Sequence, residues 1–470
     1  MTAEDELVGT FEQRAHVQLE HPQVGRNIGA AMDMILGVRA GVFQGADVEA
    51  MRAAGEAIRA HTVANLDGYL DTWASNAEAR GTKVFFADTG GEAVEYVSRV
   101  LRDRGARLVV KGKSMASEEI GLTPALEREG MEVVETDLGE YIVQIGHEPP
   151  SHIIVPAIHH DRQEIRDLFN RVHGTDLPDE PARITRFARE HLRTKFLSAD
   201  AGITGVNFAI AETGSISIVT NEGNGRMSSS MPPVHIALMG MERILPSFRE
   251  LTVMLPLLTA SATGQRVSTY FNVITGPRRP EDPDGPDELH VVVIDNGRSA
   301  ILPTEFRSIL HCIRCGACLN VCPVFRHVGG HAYGSVYGGP IGAVLTPLLQ
   351  GFERAGDLPH ASSLCGACTE ICPVNIPLHE HLLGLRREVA RVRAPWAERA
   401  TFGWWSRLWA NARRYRFFIG VSRMAQRPFA RRGRIGRAPW PFSRWTRGRD
   451  LPGVALETFR EGWRRREGGT

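Results

Sequence analysis

All seven cysteines of this 470-residue chain lie between residues 312 and 372, and their spacing is that of iron–sulfur ligands. The first run has gaps of two, two and three residues, ends with Pro323, and consists of Cys312, Cys315, Cys318 and Cys322. This is the full ligand pattern of bacterial ferredoxins. The second run keeps the last three positions of that pattern, ends with Pro373, and consists of Cys365, Cys368 and Cys372. The spacing therefore predicts iron–sulfur clusters that carry electrons.

The three-residue gap predicts how the thiolates are shared between two clusters. In two-cluster ferredoxins the fourth cysteine of such a run binds the other cluster. We therefore expect the first cluster to be held by Cys312, Cys315, Cys318 and Cys372. The second cluster would be held by Cys322, Cys365 and Cys368.

The second cluster lacks one cysteine, because Ser362 stands where the first cysteine of the second run would fall. Three outcomes are open: a [4Fe-4S] cluster with an oxygen ligand or a free corner, a [3Fe-4S] cluster, or a cysteine supplied by a partner. A pair of zinc sites is the alternative reading of the C-x2-C pairs. Zinc does not account for the three-residue gaps that end at Pro323 and Pro373.

The segments before the cysteines position them in a chain of mixed type. Residues 1–75 are predicted to be an N-terminal helical region. Residues 76–300 alternate between strand and helix, which predicts an α/β domain with a mainly parallel sheet. The strands expected there include Lys83–Ala87, Arg107–Lys111, Met131–Glu135, Tyr141–Ile145 and Leu289–Ile294. Residues 301–390 are predicted to form a helical ferredoxin-type domain, since a helix near 343–351 lies between the two cysteine runs.

The C-terminal extension, residues 391–470, differs sharply in composition from the rest of the chain. It contains 20 Arg, no Lys and 5 acidic residues, whereas the whole chain has a net charge of +1. Seven of the eight Trp also lie there. Docking to other subunits, contact with an anionic membrane surface and nucleic-acid binding are the three options. No nucleic-acid motif accompanies the extension, so we expect no nucleic-acid partner and favour the first two options.

The chain is expected to be a cytoplasmic protein. The polar, acidic N-terminus is unlike a signal or transit peptide, and no apolar run reaches the length of a membrane span. Cysteines that form no disulfide pattern indicate a reducing compartment.

The cysteine region, with its glycine-rich insert (His327–Gly342), resembles the lactate-utilisation protein B family of iron–sulfur subunits. Similar strings before it are KGKSMASEEIGL (111–122), AETGSISIVTNEGNGR (211–226) and PPVHIALMG (232–240). The resemblance implies a lactate-utilisation domain with a sugar-phosphate isomerase or CoA-transferase type of fold. It also implies two clusters and a cytoplasmic complex that oxidises L-lactate to pyruvate. The family likewise has three cysteines in its second run.

The function expected from this resemblance is that of an NAD-independent oxidoreductase subunit, whose partners are the other subunits of the complex. Electrons would pass onward, toward a quinone-side acceptor at the membrane. No G-x-G-x-x-G follows an early strand, so dinucleotide binding is unsupported. Two alternatives stay open: the iron–sulfur subunit of an oxidase for another 2-hydroxy acid, such as glycolate, and an iron–sulfur redox-sensing regulator. No catalytic residue is identified by the sequence.

Other polar residues are candidates for binding or catalytic sites. Lys111, Lys113 and Ser114 stand between a strand and a helix, where an anion could bind, and a solvated turn with a capping serine is the alternative. Glu212 is a candidate general base or part of a turn, and Arg226 could hold an acid or lie in an ordinary loop. The histidines could serve as a base, as metal ligands or in tuning a cluster, or could be structural; these are His159, His160, His235, His327 and His331. Since neighbours on a strand point to opposite faces, we expect His159 and His160 to be a poor chelate.

Overall fold

The structure, a computed structural model, describes residues 9–438, 440, 442–447 and 449–467. The described residues up to 389 form one compact unit, and those from 390 onward form a second. The domain boundaries expected near residues 75, 300 and 390 remain predictions.

In the described part of the N-terminal region, four helices precede the first strand: α1 (Phe11–Leu19), α2 (Pro22–Val42), α3 (Val48–Ala64) and α4 (Leu66–Glu78). The sequence begins them with recognised signals. Thr10 forms a capping box with Gln13 at the start of α1, Pro22 is the first residue of α2, and the Asp47 side chain caps α3. Their apolar faces are buried, with Ile28 and Met32 of α2 almost completely so.

Ten strands follow among the described residues of this unit: β1 (Lys83–Ala87), β2 (Leu108–Lys111), β3 (Glu132–Glu135), β4 (Ala201–Gly205), β5 (Phe208–Ile210), β6 (Ser215–Thr220), β7 (Val234–Gly240), β8 (Ile244–Leu245), β9 (Tyr270–Ile274) and β10 (Glu288–Ile294). Six form a parallel sheet in the order β1-β10-β7-β4-β2-β3. All seven residues of β7 are buried, as expected for a central strand covered on both faces. The predicted α/β domain with a parallel sheet is confirmed.

Helices connect these strands: α5 (Gly90–Asp103), α6 (Met115–Glu119), α7 (Leu122–Arg128), α8 (Leu138–Gly146), α9 (Arg162–His173), α10 (Pro181–Ser198), α11 (Asn224–Ser230), α12 (Phe248–Thr263) and α13 (Arg298–Ile301). The strand expected at Tyr141–Ile145 is wrong, because those residues lie in α8. The Asp137 side chain accepts hydrogen bonds from the N–H groups of Gly139 and Glu140 and so starts a helix there.

A smaller sheet of four strands, in the order β8-β5-β6-β9, packs beside the cysteine segment. Phe208 and Ile210 of β5 belong to the same buried cluster as the cysteines. Strand β5 begins three residues after the central strand β4 ends, so one connection leads from the parallel sheet to this second sheet.

The cysteine segment is helical, as predicted. Its helices are α14 (Ala317–Asn320), α15 (Pro323–Val328), α16 (Gly339–Gln350), α17 (Phe352–Ala355), α18 (Ala367–Glu370) and α19 (Leu378–Arg393). Gly342 allows α16 to pass against the turn before it. A Cβ at that position would lie 1.6 Å from the backbone oxygen of Tyr337.

The second unit contains α20 (Trp396–Trp409), α21 (Ala412–Ala425), β11 (Arg434–Ile435), β12 (Leu451–Pro452) and α22 (Phe459–Glu467). Its large aromatic side chains are exposed: Trp396 by 82%, Trp440 by 87% and Trp463 by 50%. Helices α20, α21 and α22 have no buried residue among those that the structure describes. Across the described residues of the whole chain, no helix combines the length and the apolar character needed to cross a membrane.

Candidate metal centre

The first cysteine run wraps around a tight turn whose backbone donates to sulfur. Cys312 ends a short 3-10 turn, and Arg314 and Gly316 then adopt left-handed φ angles of 59° and 74°. The Arg314 N–H donates to Cys312 Sγ at 3.3 Å. Cys322 stands before α15, and its Sγ accepts from the Phe325 N–H at 3.5 Å. N–H groups directed at sulfur stabilise a thiolate over a thiol.

The second run repeats this local geometry fifty residues later. Leu364 and Gly366 again have left-handed φ angles, 56° and 85°. Cys372 Sγ accepts from the Ile376 N–H at 3.4 Å. Ser362 stands at the position of Cys312, and its Oγ accepts from the Leu364 N–H at 3.1 Å, as Cys312 Sγ accepts from the Arg314 N–H. The serine oxygen therefore stands where the corresponding thiol stands in the first run.

One group of four thiols surrounds a small apolar cavity. The lining of that cavity includes Cys312, Cys315, Cys318 and Cys372, three from the first run and one from the second. Burial raises the pKa of Cys315 above its usual range, and the charges of Cys372 and Cys312 raise it further. Without a metal Cys315 therefore keeps its proton, and a bound metal would displace that proton.

The other three thiols form a second group. Burial, and then the charges of Cys322 and Cys365, raise the pKa of Cys368 to about 11. Cys365 is exposed, whereas Cys368 is 7% exposed. The groups are neighbours, since the charge of Cys368 also acts on Cys318.

A buried tyrosine adds an oxygen beside the second group. Burial, and then the charge of Cys322, raise the pKa of Tyr333, so the hydroxyl stays protonated. The Tyr333 hydroxyl has no hydrogen-bond partner of suitable distance and angle among the described residues. Both groups fit iron–sulfur clusters by their donors. The first offers four thiols in an apolar surround, and the second offers three thiols with the oxygen of Ser362 in the place of a fourth.

The two lysines considered as an anion site or as part of a solvated turn have different surroundings. Lys111 is fully buried and donates to Glu118 at 2.7 Å and Glu135 at 2.6 Å, so it is engaged inside the domain. Lys113 donates to the Ile154 carbonyl oxygen at 2.8 Å and lines a large cavity.

The remaining polar candidates mostly have local partners. Ser114 caps α6. Glu212 accepts a hydrogen bond at 2.7 Å from the N–H of Phe248, the first residue of α12. Arg226 is exposed and does not line the large cavity, although Asn224 and other residues of its loop do.

The adjacent histidines differ from expectation. His159 and His160 lie in a turn rather than a strand, and their Nε2 atoms are 2.8 and 2.9 Å from the same oxygen of Glu148. They therefore share one side, and the ligand atoms of the three residues lie within 4.8 Å of one another. The expectation that they point to opposite faces is wrong.

The other three histidines have single partners. Burial lowers the pKa of His235 to about 3, and its ring bonds to Thr204 at 2.8 Å. His327 and His331 bond to the carbonyl oxygens of Pro323 and Pro149.

Sequence reasoning missed a buried network of arginines and glutamates beside the first cysteine run. Arg298 donates to Glu119 at 2.7 Å and to Glu242 at 2.8 Å, and Arg314 lies 3.3 Å from Glu242. Burial alone would raise the pKa of Glu242, but the charges of Arg298 and Arg314 lower this pKa to about 2. These residues lie far apart in sequence. The sequence around Glu242 and around Arg314 does not indicate that the two side chains meet.

Comparison with known proteins agrees with this architecture. A family described as the LUD domain matches residues 70–294, and one described as a 4Fe-4S dicluster domain matches residues 308–376. A relative from Geobacillus thermodenitrificans, named lactate utilization protein B, is 48% identical over 465 residues, 98% of each chain. Another of that name, from Oceanobacillus iheyensis, is 50% identical over 423 residues, 90% of this chain and 88% of its own. A solved DUF162 family protein from Deinococcus radiodurans covers 49% of this chain and 98% of its own at 16% identity, with a TM-score of 0.29, too low to establish a shared fold.

Proposed function

The chain belongs to the lactate utilization protein B family, and we propose that it is the electron-transfer iron–sulfur subunit of a complex that oxidises L-lactate to pyruvate. The observation that carries this proposal is the gathering of seven thiols into two adjacent groups, one of four and one of three. Oxidation of lactate releases two electrons and two protons. When bound, iron–sulfur clusters accept and release electrons one at a time, so two neighbouring clusters divide the two-electron step.

The cysteines named from the sequence are the proposed ligands of two [4Fe-4S] clusters. Cys312, Cys315, Cys318 and Cys372 would hold the first, and Cys322, Cys365 and Cys368 the second. Ser362 would supply the remaining ligand of the second cluster, because its oxygen occupies the place that Cys312 has in the first run.

The surrounding residues protect and tune these sites. Ile153, Ile341 and Val374 line the first cavity with apolar surface and so exclude water from it. Backbone N–H groups directed at Cys312, Cys322 and Cys372 favour the charged form of each sulfur. Hydrogen bonds to sulfur and low exposure both set the reduction potential of a cluster.

The chain is proposed to act in the cytoplasm, and the electrons to leave through partner subunits toward a quinone-side acceptor at the membrane. The second unit suits docking, because its arginine-rich helices carry exposed aromatic side chains, Trp404, Trp405 and Trp409 among them. Aromatic residues and arginine are enriched in protein interfaces.

The test is reduction of the clusters by substrate. The tagged chain would be purified from its own host without oxygen, with its partners attached, and L-lactate added while the visible absorbance of the clusters is followed. We expect bleaching with L-lactate and none with D-lactate or glycolate. The Cys315→Ala variant is the control that lacks the first cluster, and it should not transfer electrons. Clusters that dithionite reduces but no hydroxy acid reduces would refute the proposal.

A further inference from the structure

A cavity of about 400 Å³ lies where the parallel strands end and the cysteine segment begins. Its walls include Gly112–Ser114 after β2, Val206 and Asn207 after β4, and Glu242 and Arg243 after β7. Ligands of open α/β sheets bind at this carboxyl edge of the strands. Arg314 and Tyr337 of the cysteine segment complete the wall.

Arg314 lines this cavity and has an unused donor. The residue is 7% exposed, and its Nη1 atom is buried without a hydrogen-bond partner among the described residues. Its Nη2 atom lies 3.3 Å from Glu242, and its guanidinium lies 4.8 Å from the centre of the Tyr337 ring, so the side chain is held in place. Arg314 lines the large cavity, whereas the small cavity lined by cysteines does not include it. A buried donor without an acceptor is costly and is satisfied when a ligand supplies one.

Arg243 is the second cation at this site. It is half-buried, and among the described residues no side chain or carbonyl accepts a hydrogen bond or forms an ion pair with its guanidinium. Burial lowers the pKa of Arg243, and the charge of Arg314 lowers this pKa further, so the two guanidinium groups repel each other electrostatically. Two guanidinium groups in one cavity wall offer more N–H donors than Glu242 alone accepts, and such donors bind a carboxylate.

The buried charges around Glu242 leave an excess of positive charge. The cations are Arg59, Arg243, Arg298 and Arg314, and the carboxylates paired with them are Glu242 and Glu119. Arg59 is satisfied by backbone carbonyl oxygens, which carry no net charge. Cys312 acts electrostatically on Arg59, Arg243 and Arg314, and the negative charge of a cluster bound at the first group of cysteines would offset part of the excess.

We propose that this cavity binds the carboxylate of a small 2-hydroxy or 2-oxo acid, with the guanidinium groups of Arg243 and Arg314 in its wall as the binding cations. The carboxylate follows from the two guanidinium groups, and the acid class rests on the proposed function. The site places the substrate on this chain, next to the Cys312 end of the first cysteine run, where electrons would enter. A guanidinium binds a carboxylate through two parallel N–H donors.

The test is direct binding of pyruvate, which has the carboxylate but no electrons to give. The full chain, purified anaerobically with its clusters, would be titrated with pyruvate in a calorimeter. We expect saturable binding that weakens by about 10-fold to 100-fold in Arg243→Gln, because a charged hydrogen-bonding pair is lost. Arg249→Gln is the matched control, since Arg249 is exposed on α12 six residues later and should bind as the parent does. If Arg243→Gln does not fold, Arg243→Lys keeps the charge, and its weaker, single-point contact should still lower affinity.

Two results would overturn the inference. One is the absence of saturable binding by the parent chain. The other is an unchanged affinity for pyruvate in Arg243→Gln. A shifted cluster reduction potential in that variant would then show that the arginines only balance the charge of the cluster. The outcome is separate from that of the proposed function. Lactate that bleaches the clusters of the complex, without pyruvate binding here, would place the substrate on a partner. Binding here without bleaching would refute electron transfer alone.

Discussion

The crossed sharing of cysteines predicts which pairs of substitutions are additive. Cys372 is four residues from Cys368 in sequence, yet Cys372 lines the cavity of the first group whereas Cys368 belongs to the second. Each single change to alanine should therefore remove one cluster, but a different one. Two four-iron clusters hold about eight iron atoms, so each single variant should retain about four.

Double variants distinguish crossed from sequential sharing. Cys315→Ala with Cys372→Ala removes two ligands of one proposed cluster, so this chain should still hold about four iron atoms. Cys315→Ala with Cys368→Ala removes a ligand from each cluster and should hold about none. Iron and sulfide analysis of anaerobically purified chains measures both, and electron paramagnetic resonance after reduction shows which signal remains.

The opposite pattern would refute the reasoning. If each run of cysteines held its own cluster, the pair at 315 and 372 would lose all iron. The pair at 368 and 372 would then keep half. Zinc instead of iron in the purified parent chain would refute the cluster assignment itself.

Three further predictions concern residues around the two groups. Glu242→Gln should lower the free energy of unfolding at pH 7 by about 3 kcal/mol, because the pKa of Glu242 is held near 2 instead of 4.5. That contribution is complete above pH 4.5 and is lost as the pH falls toward 2. In urea unfolding, the difference in free energy of unfolding between parent and variant should therefore become smaller in acid. An equal difference at pH 7 and pH 3 would contradict this prediction. Gly342→Ala should destabilise the chain by about 1–3 kcal/mol or more, since its Cβ would meet the Tyr337 backbone oxygen, and an unchanged urea midpoint would contradict the packing described. Ser362→Ala should change the spectrum of the second cluster and leave that of the first, and an unchanged spectrum would exclude Ser362 as a ligand.

The sequence predicted the fold class because its signals are local. Alternating short apolar strands and amphipathic helices such as Gly90–Asp103 predict an α/β domain, and the structure confirms it. The error at residues 141–145 arose because a short apolar run fits a strand or a buried helix equally well. The start signal was present, since Asp137 and Glu140 stand three residues apart at the beginning of α8.

The candidate site divides in the same way. Cysteine spacing is a local signal, so the proposed ligands could be named from the sequence. Arg243, Arg298 and Arg314 meet only because β7 and β10 are neighbours in the sheet and the cysteine segment packs at their carboxyl ends. No periodicity of the sequence encodes that meeting. The sequence also did not predict that His159 and His160 lie on the same side. Their arrangement depends on a turn, and the apolar residues before them do not indicate that turn.

The cysteine segment shares its core with the rest of the first unit. Its buried cysteines belong to one apolar cluster with Ile28 of α2, Phe208 of β5 and Leu257 of α12. Metal binding free energy becomes folding free energy when the ligands come together only in the folded chain. Iron supply would therefore govern the lifetime of the whole subunit: in iron-starved cells the chain should be degraded rather than accumulate as an empty form.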